Sequence, residues 1–455
     1  MFDVNIATVL IVSLLVMVAL GVHIAIALGM ASALGIFLVT GGSFNVVLAM
    51  LGSTAYEALR AYEFAVIPLF MLMGEFVSRS GAVTDVYRAI HRGLQRLPGR
   101  LAVATLLGNA IFSFVTGVSI ASAAAFSRIA YPEMKRFGYH RGFALGAVAG
   151  SSCLGMLIPP SVLMIVWGLL TERSIGQIFL AGVLPGLLLV SLFVCYVLVS
   201  AVMRPALVGG GRETAAGTSP DDAANQADDS AHHASRRQTW TSGLGILSVV
   251  VAVLGGIWFG VFTPTEGAGA GAFIGLVLAI AKGMRLRGAI DAILSVGRTS
   301  APILLLLVAA ALYSRTLAMT GVSSGIQSAF LGTDLLPWML LALMIGIWFI
   351  LGMVIDSISI MLLTLTIFEP IAVSLGYDPI AFAIIGILAI EAGLLTPPFG
   401  LLVYTVKAAI RDEDDTVSVM EIFRSSTPYW IIMLVGMIAI VNFPQIATFL
   451  PSLVF

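Results

Sequence analysis

Long apolar runs alternate with short polar ones along the whole chain. Residues 5–20, 24–39, 64–77, 143–170, 175–202, 240–259, 266–280, 302–319, 382–405 and 429–441 are predicted as helical membrane spans, and residues 44–60 as a short interfacial helix. Two further apolar stretches are split. Segments 101–114 and 120–131 flank FVTGVS at 114–119, and segments 338–351 and 358–373 flank LGMVID at 351–356. Half-length pieces of this kind are predicted to form re-entrant helical hairpins. Two of the spans are themselves broken by a Pro-Pro step, GMLIPPS at 155–161 and GLLTPPFG at 393–400.

The polar positions give orientation. Arg88, His91, Arg92, Arg96 and Arg100 precede the first hairpin, and Lys135, Arg136, His140 and Arg141 follow it. Lys/Arg excess marks the cytoplasmic side, so this hairpin is expected to enter from there. The connections around the second hairpin, 323–335 and SLGYDP at 374–379, contain no Lys or Arg, so it is expected to enter from the opposite side. SIGQIF at 174–179 matches SVMEIF at 418–423, and Pro185 and Pro428 follow at similar distances. These matches predict an inverted-topology repeat, a plan common in secondary transporters. Each half has an odd number of crossings, about five plus a hairpin, which places both termini outside.

The predicted domain plan follows. Residues 1–84 and 239–322 hold scaffold spans, and 85–174 and 323–411 hold the transport-domain hairpins and broken helices. A span covers 175–204, a flexible linker 205–238, and a last span 412–455. The linker is Gly, Ala, Ser, Asp and His with almost nothing to bury.

Composition agrees with the pattern. The chain is 59% hydrophobic and 10% charged, with mean hydropathy +1.05, against roughly 25% charged in soluble domains. It is predicted to be an all-α polytopic membrane protein, since a β-barrel would show short alternating strands. The start, MFDVN, lacks a basic region and a cleavage site, so the first apolar run is expected to be retained. Cys153 and Cys195 sit in apolar segments without metal-ligand spacing, and no disulfide is expected. The net charge of −1 argues against a nucleic-acid partner. No Gly-rich Lys-Ser/Thr nucleotide loop is present, and no catalytic constellation points to an enzyme.

The candidate chemistry lies at the breaks. Proline has no N–H for the carbonyl four residues back. Pro159 and Pro160 therefore release the carbonyls of Gly155 and Met156, and Pro397 and Pro398 those of Gly393 and Leu394. Facing lipid, each such group would cost several kcal/mol, so irregular backbone belongs where protein or a water-filled cavity covers it. Hairpin tips placed opposite would add the hydroxyls of Thr116 and Ser119, or the Asp356 carboxylate. Such hard oxygens suit Na+, and the half-helix N-termini suit an anion. One Na+ site is expected from Thr116, Gly117 and Ser119 with Gly155, Met156 and Pro159. A second is expected from Gly352 and Asp356 with Gly393, Leu394, Thr396 and Pro397. Ser119, Ser161, Ser357 and Thr396 are candidates for substrate contact. No other metal is expected.

An isolated Gly or Pro in a membrane helix is usually a packing or kink residue. Four breaks in two matched pairs are explained together by one architecture. Asp356 sits at a predicted tip, where intramembrane carboxylates are functional by default. Glu391, six residues before Pro397, reads either as a scaffold pair or as a proton site. Arg315 and Glu369 read as snorkelling near interfaces. Glu266 reads as a helix-start carboxylate with Thr263 or Thr265 as cap, and the Gly/Ala run GAGAGAF as close helix packing.

These residues carry a family resemblance. IPLFMLMGE at 67–75, the Gly-x-Ser break at 117–119, GMLIPPS, SIGQIFLAGVLPG at 174–186, TPTEGA at 263–268, LGMVID and LLTPPFG recur in order over nearly the whole chain. The chain resembles the large membrane subunit of tripartite ATP-independent periplasmic (TRAP) transporters. The resemblance implies an elevator-type, Na+-coupled importer of small organic anions in the bacterial cytoplasmic (inner) membrane. It also implies a periplasmic substrate-binding protein and a separate small four-helix membrane subunit as partners. Val118 stands where the family often has a serine, and the linker is longer than the resemblance implies. The rival readings are a stand-alone Na+- or H+-coupled dicarboxylate transporter, an intramembrane enzyme and a channel.

Overall fold

The computed structural model describes residues 4–94, 96–209, 236–332 and 335–455. Among these residues the chain is all-α, apart from an isolated bridge between Tyr139 and Val208. The first half comprises α1 (Val4–Ala19), α2 (Ile24–Val39), α3 (Phe44–Arg60), α4 (Val66–Arg79) and α5 (Ala82–Gly93). Then come a hairpin of α6 (Arg100–Thr116) and α7 (Ser119–Arg136), a broken helix of α8 (Arg141–Ser152), α9 (Leu154–Leu157) and α10 (Val162–Thr171), and α11 (Ile175–Met203). The second half comprises α12 (Arg236–Val250, extended through a π turn to Trp258), α13 (Pro264–Ala281), α14 (Leu286–Met319) and α15 (Val322–Leu331). A hairpin of α16 (Pro337–Gly352) and α17 (Ser357–Ser374) follows, then a broken helix of α18 (Pro379–Gly393) and α19 (Leu401–Ala409), then α20 (Val419–Asn442) and α21 (Gln445–Val454).

The order of elements repeats. Each hairpin is preceded by a short helix, α5 or α15, that starts after a left-handed glycine, Gly81 at φ 75° and Gly321 at φ 68°. The halves differ just before that point. α14 is one helix of 34 residues, whereas α3 and the segment leading into α4 meet at 59°, because Ala61 is extended. Six helical segments among the described residues are long and apolar enough to cross a membrane, seven if the bent pair is one span.

Several predicted loops are helices. Residues 85–100 include most of α5, which buries Ala82, Val83 and Tyr87 and turns Arg88 and Arg92 outward. The basic stretch at 282–298 is largely the start of α14, with Ala289, Ala292, Val296 and Ser300 forming a buried stripe at helical spacing. The 323–335 connection contains α15, and α21 follows the last predicted span. The predicted linker lies outside the described residues from 210 to 235. Its edges are a turn at Pro205–Leu207 and the first residues of α12.

In lipid, helices gain little from hydrophobic burial against each other, so close packing and hydrogen bonds must hold them. α13 shows the first. A Cβ at Gly271 would lie 2.5 Å from the Met73 sulfur of α4, so a larger residue would have to displace that side chain. α13 opens with Thr263 as cap; Glu266 N–H donates to Thr263 Oγ1 at 3.3 Å, and Thr263 N–H donates to Glu266 Oε2 at 2.8 Å.

The hairpins and broken helices pack into one body and exchange partners between halves. α7 of the first hairpin lies along α19 of the second broken helix, and α17 of the second hairpin lies along α10 of the first. Polar braces close the outer end of each crossing. Tyr131 Oη donates to Asp414 at 3.1 Å and Lys135 to the Glu413 carbonyl at 2.8 Å. At the other crossing, Arg173 donates to Glu369 at 3.0 and 2.6 Å. An aromatic cluster fills the second crossing. Trp167 of α10 stands edge-on to Trp348 of α16 at 6.0 Å and to Phe382 of α18 at 5.9 Å. Gly386 leaves room for both indoles.

Candidate functional site

Each hairpin tip is seated on a Pro-Pro break by the same backbone bond. In the first half, α6 ends at Thr116, Gly117 takes φ 60°, Val118 is extended, and Ser119 starts α7. The Gly117 carbonyl accepts from Val162 N–H at 3.1 Å, just past Pro159 and Pro160. In the second half, α16 ends at Gly352 and Asp356 is the extended residue before α17. The Met353 carbonyl accepts from Phe399 N–H at 3.1 Å, just past Pro397 and Pro398. Both Pro-Pro peptide bonds are cis.

Glycine makes both seats. A Cβ on Gly117 would lie 2.4 Å from the Pro160 carbonyl oxygen, and one on Gly155 2.8 Å from the Ser119 backbone. In the second half, a Cβ on Gly352 would lie 2.8 Å from the Gly393 Cα. The predicted tip residues and the predicted break residues are therefore brought together in both halves.

Two of the four freed carbonyls accept from local donors. Met156 O accepts from Ser161 Oγ at 2.5 Å, and Gly393 O accepts from Thr396 N–H at 3.0 Å and Thr396 Oγ1 at 2.7 Å. Thr116 Oγ1 donates to Phe112 O of its own helix at 3.1 Å. Asp356 Oδ2 accepts from Ser359 N–H at 3.1 Å and so caps α17. Ser119, Ser161, Ser357 and Thr396 are all buried. Leu394 is buried within the second turn, as is Met156 within the first.

Glu391 joins the two tips. It is 1% exposed on α18, and it accepts from Ser119 Oγ at 2.6 Å through Oε2 and from Ser357 Oγ at 2.8 Å through Oε1. Among the described residues it has no ion-pair partner. The two hydroxyl donors offset part of the cost of burying it. The tips around it are built of carbonyls and hydroxyls, all of them oxygen donors to a cation or acceptors of a hydrogen bond. The sequence signal for Glu391 was a carboxylate in an apolar run ahead of Pro397. Its two partners lie far off in the chain and could not be read from it.

Two cavities open at the tips, and both border α14. One of about 430 Å³ is lined by Gly352, Met353, Asp356, Ser359 and Phe399, and by His23 at the start of α2. The other, about 340 Å³, is lined by Thr116, Val118 and Arg128 from the first hairpin, Glu75 from α4, and Ser295 and Thr299 from α14. Ser295 and Thr299 also border a cleft with Arg79, Asp291 and Arg298. Sequence reasoning passed over His23 and Arg128, which line the two tip cavities, because nothing local shows that they border the tips. The two breaks differ in access: Pro159, Pro160 and Ser161 are buried, whereas Pro397, Pro398 and Phe399 are exposed.

Arg315 donates to Thr54 at 2.9 Å and lies 3.6 Å from Glu57, both on α3, which places it away from the tips. Glu369 is held by Arg173 in the brace described above.

The fold resembles two solved transporters. The Alcanivorax borkumensis YdaH transporter aligns with a TM-score of 0.56 at 15% identity, over 89% of this chain and 88% of that one. Neisseria gonorrhoeae MtrF aligns with a TM-score of 0.58 at 12% identity, over 87% and 84%. In sequence, the chain is 31% identical over 402 residues to the C4-dicarboxylate TRAP transporter large permease protein DctM of Pseudomonas aeruginosa, covering 87% of this chain and 88% of that one. It is 30% identical to the ectoine/5-hydroxyectoine large permease UehC of Ruegeria pomeroyi, over 87% and 88%. It is 27% identical to the sialic acid large permease SiaM of Vibrio cholerae, over 85% and 86%. The family model for the DctM component of the tripartite ATP-independent periplasmic transporters matches residues 11–446. With tips, breaks and repeat all in place, the chain belongs to the DctM component family of tripartite ATP-independent periplasmic transporters, as a multi-pass protein of the inner membrane.

Proposed function

We propose that this permease imports a small organic anion by an elevator motion coupled to Na+. Substrate is delivered by a periplasmic binding protein, and a small four-helix membrane subunit completes the assembly. The observation that carries the reading is the paired seating of each hairpin tip on a Pro-Pro break, through Val162 N–H to Gly117 O and Phe399 N–H to Met353 O. Such interrupted backbone inside a membrane protein is tolerated where it lines a site.

In this reading one Na+ is held near Thr116, Gly117 and Ser119 with Gly155, Met156 and Pro159. A second is held near Gly352 and Asp356 with Gly393, Leu394, Thr396 and Pro397. The chain's own contribution is to hold these oxygens against each other and to exclude lipid. The hairpins and broken helices form the transport domain, and α14 with its neighbours the scaffold along which it slides. Arg128 borders the first-tip cavity without an ion pair among the described residues, which suits a carboxylate or a related acid. Substrate contact by Ser119, Ser161, Ser357 and Thr396 belongs to the same reading.

Thermal stability of the purified protein in Na+ is compared with that in K+ or choline at matched ionic strength. A ligand bound only to the folded state adds about 2.7 kcal/mol at a hundredfold excess over Kd. A saturable, Na+-specific rise that weakens in Asp356→Ala is the expected result. Equal stability in all three salts would remove Na+ from the mechanism.

A further inference from the structure

The two hairpins come from opposite halves of the chain, yet one side chain touches the head of each. Ser119 is the first residue of α7 and Ser357 the first of α17. Both donate to Glu391, each to a different carboxylate oxygen, at 2.6 and 2.8 Å. Ser119 Oγ also lies 3.5 Å from Cys153 O, beside the first break. Glu391 stands two residues before Gly393, whose Cα is packed against Gly352 of the second tip. It is thus fixed to the second break through its own helix and to both tips through its oxygens. A carboxylate accepting from two hydroxyls makes charge-assisted bonds, stronger than neutral ones. In a water-excluded interior, losing one leaves a buried acceptor unsatisfied.

We propose that Glu391 is a positioning strut that makes the two hairpin tips open and close together. Its effect is reciprocal, as any coupling between two equilibria must be. Freeing the carboxylate at one tip loosens the other tip, which has lost none of its own atoms. The strut deepens the reading above, since it joins the two proposed ion sites, but its first test needs no ion.

Hydrogen exchange is measured on the full-length protein in detergent, for wild type, Ser119→Ala and Ser357→Ala. These substitutions remove one hydroxyl each, and retained helical content and melting behaviour confirm the fold. Peptides covering 115–122 and 352–360 report the two tips. Ser357→Ala is expected to raise exchange at the first tip about fivefold, the factor one net hydrogen bond is worth, and Ser119→Ala to do the same at the second. Exchange that rises only at the substituted tip would overturn the strut.

A second readout separates the strut from the ion reading. In wild type, stability is expected to rise with Na+ with a Hill coefficient above one, falling towards one in Ser357→Ala, which breaks one arm of the bridge. A wild-type Na+ response with the same Hill coefficient in the variant would overturn the strut and leave Na+ coupling standing. Remote loosening without any Na+ response would keep the strut and remove the ion.

Discussion

At the scale of single residues, two glycines decide how close tip and break can come. Gly117 combines φ 60° with a Cβ position 2.4 Å from the Pro160 carbonyl oxygen. Alanine there must both strain its backbone and push the break away. Gly117→Ala is expected to destabilise the protein by about 1–3 kcal/mol and to abolish the Na+ response. Gly29→Ala, in α2 with nothing within 4 Å of its Cβ position, is expected to leave both unchanged; thermal melts in Na+ and in choline check the pair. Much of this chemistry was legible in the sequence. The Pro-Pro steps and the tip glycines announce themselves, because few other residues interrupt an apolar helix. Glu391 was visible, but its role was not, since Ser119 and Ser357 are joined to it only by tertiary folding. Asp356 was read as a ligand; what the fold shows is that it caps its own helix, a role that any Asp at a helix start can fill.

At the scale of elements, the crossings between hairpins and broken helices carry the polar braces. Asp414 lies in the connection after α19. Hydrogen bonds from Thr416, then Tyr131, and the nearby Lys135 charge hold its carboxyl below the ordinary value of 3.8. Its folded pKa is depressed, so its contribution is present above the unfolded value and is lost as pH falls through the folded one. Asp414→Asn is therefore expected to lower the melting temperature at neutral pH. The gap to wild type should narrow as pH falls below 3.8, which melts across an acid series would show. The reading of elements from sequence failed where charge and helix coincide. α5 and the start of α14 carry Arg outward and bury a stripe on another face. A scan for apolar runs records only the charge and returns a loop. α15 and α21 were lost for a related reason, since ten residues each are too short to register as spans.

At the scale of the molecule, the repeat was legible because its marks are local: Pro-Pro, tip glycine, basic or uncharged flanks. The interlocking of the halves was not, because no local pattern tells which hairpin arm lies on which broken helix. That interlocking predicts which parts move together. Val118 and Val296 line one cavity from the hairpin and from α14, whereas Arg173 and Glu369 brace one crossing. In a Cys195→Ser background, cysteines at 118 and 296 joined by a short thiol reagent are expected to stop uptake into proteoliposomes. Cysteines at 173 and 369, joined in the same way, are expected to leave transport running. Arrest by the second pair would mean that the hairpins shift against the broken helices.

The crossed arrangement also has a consequence for synthesis. The first hairpin is complete when residue 136 leaves the ribosome, but α19, along which α7 lies, is made more than half a chain later. Ser119 likewise waits for Glu391. During translation the first half therefore sits in the bilayer with one flank uncovered, and only the arrival of the last helices closes it.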